Sequence, residues 1–253
     1  ALGAGCVEGG QAVCGIGTYE CITPVFAGVP DKARMLAAGL NIEHHVVPDR
    51  YVAFIYNQAG MLTEWFSRLH HAPFAELEQE LPAGPTALTV LPYFEPTGAP
   101  YFAAGGLGTV CGLRTTTTRG ELYKALLEGI SFYFVESLQR LAALGFEIRL
   151  MIATGGGARS DAWLQLQADI LDLPIARLEN IEAGVTGAAM LAGLAAGLLS
   201  TPEQACDAFV RYDREFVPDA GRVAAYGAAF QTYRHRLAAL SAPPLLKSIR
   251  PDR

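Results

Sequence analysis

The sequence predicts an α/β domain built on a mixed sheet with flanking helices, and three observations carry that expectation. Short apolar runs stand close together near the start with no long helix between them. A long amphipathic segment runs from Thr118 to Gly145. From residue 147 to 198 strand-like and helix-like patterns alternate, which is how a parallel sheet with crossover helices is written. At 253 residues, 51% apolar and 17% charged, the chain can bury a sizeable core.

Residues 12–26 read as two short strands joined at Gly17-Thr18. Two more are expected over 42–47 and 51–56, separated by a Pro48-Asp49 turn. Hairpins that precede any long helix argue against a Rossmann domain and suit the ribonuclease H-like core of actin-like ATPases. A helix over 60–71 comes next, then a loop-rich stretch punctuated by Pro82, Pro85, Pro92, Pro96 and Pro100. Thr118-Arg-Gly-Glu121 is a capping box, in which the Thr hydroxyl and the Glu carboxylate each accept from the other's backbone N–H. Behind it Leu122, Ala125, Leu126, Ile130, Tyr133, Phe134, Leu138 and Leu141 form an apolar stripe that stops at Gly145. A strand over 147–153, a glycine turn, a helix over 161–172 capped by Ser160 or Asp161, a strand over 173–178 and a helix over 183–198 follow. The last helix covers about 221–240 and leads into a loose, Pro-rich tail.

Composition excludes several functions. The net charge is −6 and no Lys/Arg cluster is interleaved with aromatics, so nucleic acid is not an expected partner. The longest apolar stretch, Ala188 to Leu199, is short and broken by glycine, so no membrane span is expected. Cys6, Cys14, Cys21, Cys111 and Cys206 are odd in number and form no CxxC pair, which reads as reduced thiols in a cytoplasmic protein. His44-His45 and His70-His71 are vicinal pairs; neighbours on a strand point to opposite faces, and no metal site is expected. The first residue is Ala1 and the first methionine is Met35, so the chain reads as a piece of a longer polypeptide.

The most informative segment is Thr154-Gly-Gly-Gly-Ala-Arg-Ser-Asp161. Three glycines stand where an apolar run hands over to a helix whose face carries Trp163, Leu166, Gln167, Ile170 and Leu171. Backbone without Cβ atoms lets a flat ligand come close while the N–H groups of the helix start point at it. Taken alone, the pattern serves equally as a tight corner that binds nothing.

Three further segments set it in context: Gly15-Ile-Gly-Thr-Tyr-Glu20, Gln58-Ala-Gly-Met-Leu-Thr-Glu-Trp-Phe66, and Glu182 to Gly197. In this order, and across nearly the whole chain, the four segments resemble the C-terminal, ATP-binding domain of the FGGY carbohydrate kinases. The resemblance implies ATP, carried with Mg2+, as phosphoryl donor and a sugar or polyol hydroxyl as acceptor. It makes residues 9–241 the nucleotide-binding domain, 1–8 the end of a connection from an N-terminal sugar-binding domain, and 242–253 a tail. The alternatives are another member of the acetate kinase, sugar kinase and Hsp70 superfamily, or a nucleotide-binding sensor or interaction module without kinase activity.

Site residues follow from the same resemblance. Gly17 and Thr18 are expected to hold phosphate, since a glycine turn exposes N–H groups and the Thr hydroxyl donates; alone they read as a hairpin turn. Gly60 gives room to the nucleotide. Glu64, one helical turn on, faces a ribose hydroxyl or solvent, because a carboxylate repels phosphate. Gly156 takes the close approach of adenine and ribose, with Gly157 beside it and Ser160 hydrogen-bonding the base. Arg159 stacks on the purine or is solvated. The small residues from Gly184 to Gly193 are expected to pack against the sheet. Residues 92–101 lack the Gly-Glu-Arg triplet common in the family, and Cys21 leaves room for a sugar larger than glycerol. No catalytic base is expected in this chain: the family's aspartate falls upstream of Ala1, and Glu20 is level with the phosphate turn. Apolar residues Leu2, Val7 and Tyr19 are expected to be exposed where the first domain closes, and to favour a homodimer.

Overall fold

The computed structural model describes residues 1–100 and 108–240. The chain opens with a 3-10 turn at Leu2–Ala4 and then lays down its first hairpin. β1 (Gln11–Ile16) and β2 (Tyr19–Ala27) pair antiparallel, with Ile16 opposite Glu20 and Gly17-Thr18 at the tip. α1 (Lys32–Ala37) is capped by Asp31, whose side chain accepts from the N–H groups of Ala33 and Arg34 at 3.0 and 3.1 Å. β3 (Glu43–His44), β4 (Arg50–Val52) and β5 (Ile55–Gln58) follow. β2 is long enough to serve two partners, its Tyr19–Ile22 half pairing β5 and its Val25–Ala27 end pairing β4.

These strands depart from the expected 42–47 and 51–56. The first shrinks to two residues because the His45 ring accepts the Val47 N–H at 2.9 Å and turns the chain. The second divides because the Phe54 N–H goes to the Asn41 side chain at 2.8 Å, outside the ladder.

α2 (Gly60–His70) lies where expected, and α3 (Phe74–Gln79) was hidden by the prolines around it. So was a two-stranded ribbon of β6 (Thr89–Leu91) and β7 (Thr109–Cys111). Part of the 92–101 loop and the whole 242–253 tail lie outside the described residues. α4 (Arg119–Ala143) is the central helix. Its capping box forms: the Glu121 N–H donates to the Thr118 hydroxyl at 3.2 Å and the Thr118 N–H to the Glu121 carboxylate at 2.7 Å. Buried Glu128 accepts from the Thr86 N–H at 3.0 Å and its hydroxyl at 2.7 Å, fastening the proline-rich stretch to α4. Burial pushes that carboxyl up to about 7.

The second half alternates as expected. β8 (Leu150–Thr154) begins later than 147, a 3-10 turn covers Gly156–Arg159, and α5 (Asp161–Leu171), β9 (Ile175–Leu178) and α6 (Ala183–Ala195) follow. α7 (Pro202–Phe209) and the edge strand β10 (Tyr212–Phe216) carry too little apolar patterning to have been read, and α8 (Ala220–Leu240) closes the described chain. The main sheet runs β10-β9-β8-β1-β2-β4-β3, with β5 also on β2. β1, β8 and β9 are mutually parallel and the remaining pairs antiparallel, so the sheet is mixed.

Alternation sorts the strand residues between two layers. Cys14 and Ile16 of β1 and Met151 and Ala153 of β8 enter the main core with α4, α5 and α8. Val13, Val25 and Ile152 face the other way, into a smaller cluster with Ala4 and Cys6. Leu2 and Val7 are buried against Met190 and Ala205, which corrects the expectation that they are exposed. α6 likewise packs on the Leu2–Ala4 turn and not flat on the sheet: a Cβ at Gly3 would overlap the Ala183 carbonyl. Val185 and Leu191 of α6 are left exposed. All five cysteines are free, and no helix among the described residues is long and apolar enough to cross a membrane.

The capping box gives a direct test of the α4 start. Thr118→Ala removes one of the two reciprocal bonds and is expected to cost about 1 kcal/mol, lowering Tm by about 2–4 °C in a domain of this size. Scanning calorimetry checks it, and an unchanged Tm would mean that the box is incidental.

Candidate functional site

The hairpin tip presents Gly17 and Thr18 to solvent. α2 begins directly against it. The Ala59 and Met61 N–H groups donate to the Thr18 carbonyl at 3.3 and 3.1 Å, and the Gly60 N–H donates to the Gly17 carbonyl at 3.0 Å. A helix start leaves N–H groups without intrahelical partners, and here the tip's carbonyls receive them. That turns both carbonyls toward α2. The Thr18 N–H and hydroxyl have no partner among the described residues. A Cβ at Gly60 would overlap the Gly17 carbonyl oxygen, so this contact requires glycine.

Beside the tip lies the glycine turn. β1 and β8 run parallel with Gly15 opposite Thr154, so both connections leave the sheet at carboxyl ends of neighbouring strands, the edge where open α/β sheets bind ligands. Gly155 has φ 86°, a left-handed conformation that glycine adopts without penalty. Its N–H donates to the Ile181 carbonyl at 3.0 Å, and a Cβ there would sit 2.7 Å from the Ile16 carbonyl oxygen. A Cβ at Gly157 would overlap the Ile16 side chain. Gly156 is different: it is exposed, and nothing lies within 4 Å of where a Cβ would stand. Packing therefore accounts for Gly155 and Gly157, while Gly156 faces open space.

Ser160 is the cap of α5, its hydroxyl accepting the Trp163 N–H at 3.1 Å. The same hydroxyl donates to Glu78 of α3 at 2.6 Å, so the group expected to meet the base is already engaged. Glu78 thereby brings a carboxylate to the positive end of α5. A charged clamp fixes the turn from the other side. Arg177 donates to Asp161 at 2.6 Å, to Asp213 at 3.0 Å and to the Ala158 carbonyl at 3.3 Å, and Arg214 also bonds Asp161. Glu64 is 65% exposed and faces Arg68 at 4.0 Å, the solvent side of the alternative left open for it. Arg159 is exposed as well.

The structure thus brings Gly17, Thr18, Gly60 and Gly156 to one edge, sets Gly157 behind them, commits Ser160 to α3 and turns Glu64 away. Glu78, Arg177 and a buried polar group under the tip were not read from the sequence. Glu20 is fully buried, its carboxyl accepting from Gln167 at 2.6 Å and from the Cys14 thiol at 3.3 Å. Strand alternation held the signal, since Glu20 shares a parity with Ile22 and so points into the core. Burial pushes its carboxyl up to about 7 and also raises the Cys14 thiol. Two surface pockets, one lined by Leu150, Ala176, Tyr212 and the clamp residues Asp213 and Arg214 and the other by Gly3, Asn180 and Arg211, include none of Gly17, Thr18, Gly60 and Gly156. The tip is an open shelf. No cluster of three His, Cys, Asp or Glu able to hold a metal is found among the described residues.

Residues 34–196 match the C-terminal domain of the FGGY family of carbohydrate kinases. The xylulose kinase of Bacillus subtilis is 31% identical over 242 residues, 93% of this chain and 48% of that protein. The glycerol kinase of Variovorax paradoxus is 36% identical over 141 residues, 54% of this chain and 28% of that protein. Among solved structures, a xyloylose kinase from Brucella ovis superposes with a TM-score of 0.86 at 31% identity, covering 96% of this chain and 50% of that one. A gluconate kinase from Lactobacillus acidophilus shares the fold, with a TM-score of 0.82 at 24% identity and the same two coverages. The expected actin-like ATPase fold is therefore met, and the chain spans about half the length of the curated relatives it matches.

Two alanine substitutions separate scaffold from open surface. Glycine-to-alanine changes in helices normally stabilise, but Gly60→Ala is expected to cost about 1–3 kcal/mol through overpacking against the tip. Gly156→Ala is expected to stay within about 0.5 kcal/mol. Urea titration of both variants checks the contrast, and a stabilised Gly60→Ala protein would refute the close approach.

Proposed function

The chain belongs to the FGGY family of carbohydrate kinases, and on that premise we propose that it is the nucleotide-binding half of an enzyme that moves the γ-phosphate of ATP to a sugar or polyol hydroxyl. The observation that carries this reading is the juxtaposition of two openings on one edge. The unpartnered Thr18 N–H and hydroxyl take a phosphate oxygen, and the open face above Gly156 takes the ribose and adenine. Electrostatics gives the ligand a direction. Glu78 holds the start of α5 as an anion, which disfavours phosphate there and directs the triphosphate to Thr18. Mg2+ arrives with the triphosphate as part of the substrate. Gly60 acts by fixing the tip, Gly157 by seating the turn on Ile16, and Ser160 by holding Glu78.

Phosphoryl transfer of this kind depends mainly on positioning and on neutralising charge, together with a carboxylate that accepts the acceptor hydroxyl's proton. Glu20 does not suit that task, being fully buried in the core. We assign the base, and the sugar contacts, to the half of the relatives that this chain does not span. Xylulose is the first acceptor to test, because the xylulose kinase of Bacillus subtilis aligns with 93% of this chain. The free thiols suit a cytoplasmic setting. The exposed Val185 and Leu191 of α6 give the piece alone a surface for homodimer formation.

Isothermal calorimetry tests the nucleotide site. The chain is expected to bind ADP, and Gly156→Val to weaken it at least about tenfold, the loss of roughly 1.4 kcal/mol, with Tm unchanged. Equal affinities would remove Gly156 from the site, and a fold that binds no nucleotide would favour an interaction module. A coupled assay tests the division of labour: the chain alone is expected to release no ADP in response to xylulose, gluconate or glycerol. Sugar-dependent turnover would locate the base within these 253 residues.

A further inference from the structure

The side chains at the start of α5 divide their hydrogen bonds unevenly, and the division leaves a ligand acceptors only. The Ser160 hydroxyl has one proton, which goes to Glu78 at 2.6 Å, and its oxygen takes the Trp163 N–H at 3.1 Å. Ser160 therefore has nothing left to offer but a lone pair. Glu78 accepts on one oxygen, while its other oxygen has no partner among the described residues. Arg119 bonds Glu76 and Glu80 of the same helix, and no ion pair to Glu78 is found among the described residues. The carboxylate is half-buried and beside the glycine turn: the Ser160 N–H donates to the Gly157 carbonyl at 3.1 Å, next to the open face of Gly156. Phe74 precedes Glu78 by four residues on α3, the spacing that sets two side chains on one helix face, and is 45% exposed.

We propose that Glu78 is a specificity-determining residue of the nucleotide site, its free carboxylate oxygen accepting a hydrogen bond from the 6-amino group of adenine and rejecting a purine that carries oxygen at that position. The inference rests on the proposed nucleotide site. Backbone N–H groups at a turn reach ring nitrogens such as N3 and N7, which every purine carries, and so do not tell one base from another. Position 6 does. Adenine presents N–H donors there, whereas hypoxanthine and guanine present a carbonyl oxygen. Ser160 was the residue expected to meet the base; with its proton spent on Glu78, the reading passes to the carboxylate.

The two cases differ in sign. An amino group opposite an acceptor-only pair gains a charge-assisted hydrogen bond. A carbonyl oxygen in the same place meets carboxylate lone pairs, and the carboxylate gives up water without gaining a partner, which is how a site built for a donor rejects the analogue that lacks it. The exposed Phe74 ring and the Cβ-less surface at Gly156 suit any flat base, so they add affinity and no choice.

The experiment measures the affinities of ADP and IDP by calorimetry for wild type and Glu78→Ala. IDP differs from ADP at position 6 and in the proton on N1. Wild type is expected to bind ADP at least about tenfold more tightly than IDP. In Glu78→Ala the Ser160 cap of α5 remains, and the two affinities should come within about twofold of each other. A merely structural role for Glu78 would weaken both nucleotides by the same factor and leave their ratio as it was, so a ratio that survives Glu78→Ala overturns the proposal. Equal affinities in wild type overturn it too, as does a preference for IDP, which would place the carboxylate against the N1 proton. In those cases ADP still binds and the nucleotide site stands; binding of neither nucleotide removes both readings. If Glu78→Ala does not fold, wild type is titrated with purine riboside diphosphate, which carries only hydrogen at position 6: affinity below that of ADP supports the proposal, and affinity equal to it refutes it.

Discussion

The close approach of three backbone segments around Ile16, Gly17 and Thr18 is the constraint on which the ligand-facing edge depends. The α2 start comes within 3.0 Å of the Gly17 carbonyl, a distance that no residue with a Cβ at position 60 would permit. Gly155 and Gly157 bring the β8–α5 turn onto Ile16 from the other side. Side-chain absence is usually discussed as conformational freedom, and φ at Gly155 does require it. At Gly60 and Gly157 the reason is contact. With the tip's carbonyls taken by α2, the Thr18 N–H and hydroxyl are left without a partner among the described residues, which is the opening that the proposed function assigns to phosphate.

Charge placement then distinguishes the two ends of the edge. The α5 start offers N–H groups and a positive dipole end, features that elsewhere attract phosphate. Here Ser160 and Glu78 occupy it. The proposed function accordingly assigns the neutral, flat part of the nucleotide to the glycine turn and its charged part to the hairpin tip. Arg177 strengthens the division by tying Asp161, Asp213 and the Ala158 carbonyl together, so the turn is held from the β9–β10 side as well.

Much of this was legible in the sequence, for reasons that differ by element. The β1–β2 hairpin, α2, α4 and α5 announce themselves through local rules: alternation, a capping box, a stripe at helical spacing. The strands after β2 were misjudged because two side-chain acceptors, His45 and Asn41, take backbone N–H groups that would otherwise extend the ladders. α3 and β6 sit among prolines, and β10 owes its position to pairing with β9, a long-range fact that local pattern does not contain. At the site, glycine positions were visible but their division of labour was not. Gly156 and Gly157 are identical letters, and only the position of Ile16 tells that one faces solvent and the other a side chain. Glu78 reaches Ser160 across 82 residues of sequence, and no spacing rule foretells it.

The central claim is that one edge of the sheet receives a nucleotide with its phosphates at the hairpin tip and its base over the glycine turn. A crystal structure of the chain with ADP and magnesium tests it most directly. The arrangement requires a phosphate oxygen within hydrogen-bonding distance of the Thr18 N–H or hydroxyl, with the adenosine lying against Gly156. ADP bound in the reverse sense, with phosphate at the start of α5 beside Ser160, or bound away from this edge altogether, would contradict it.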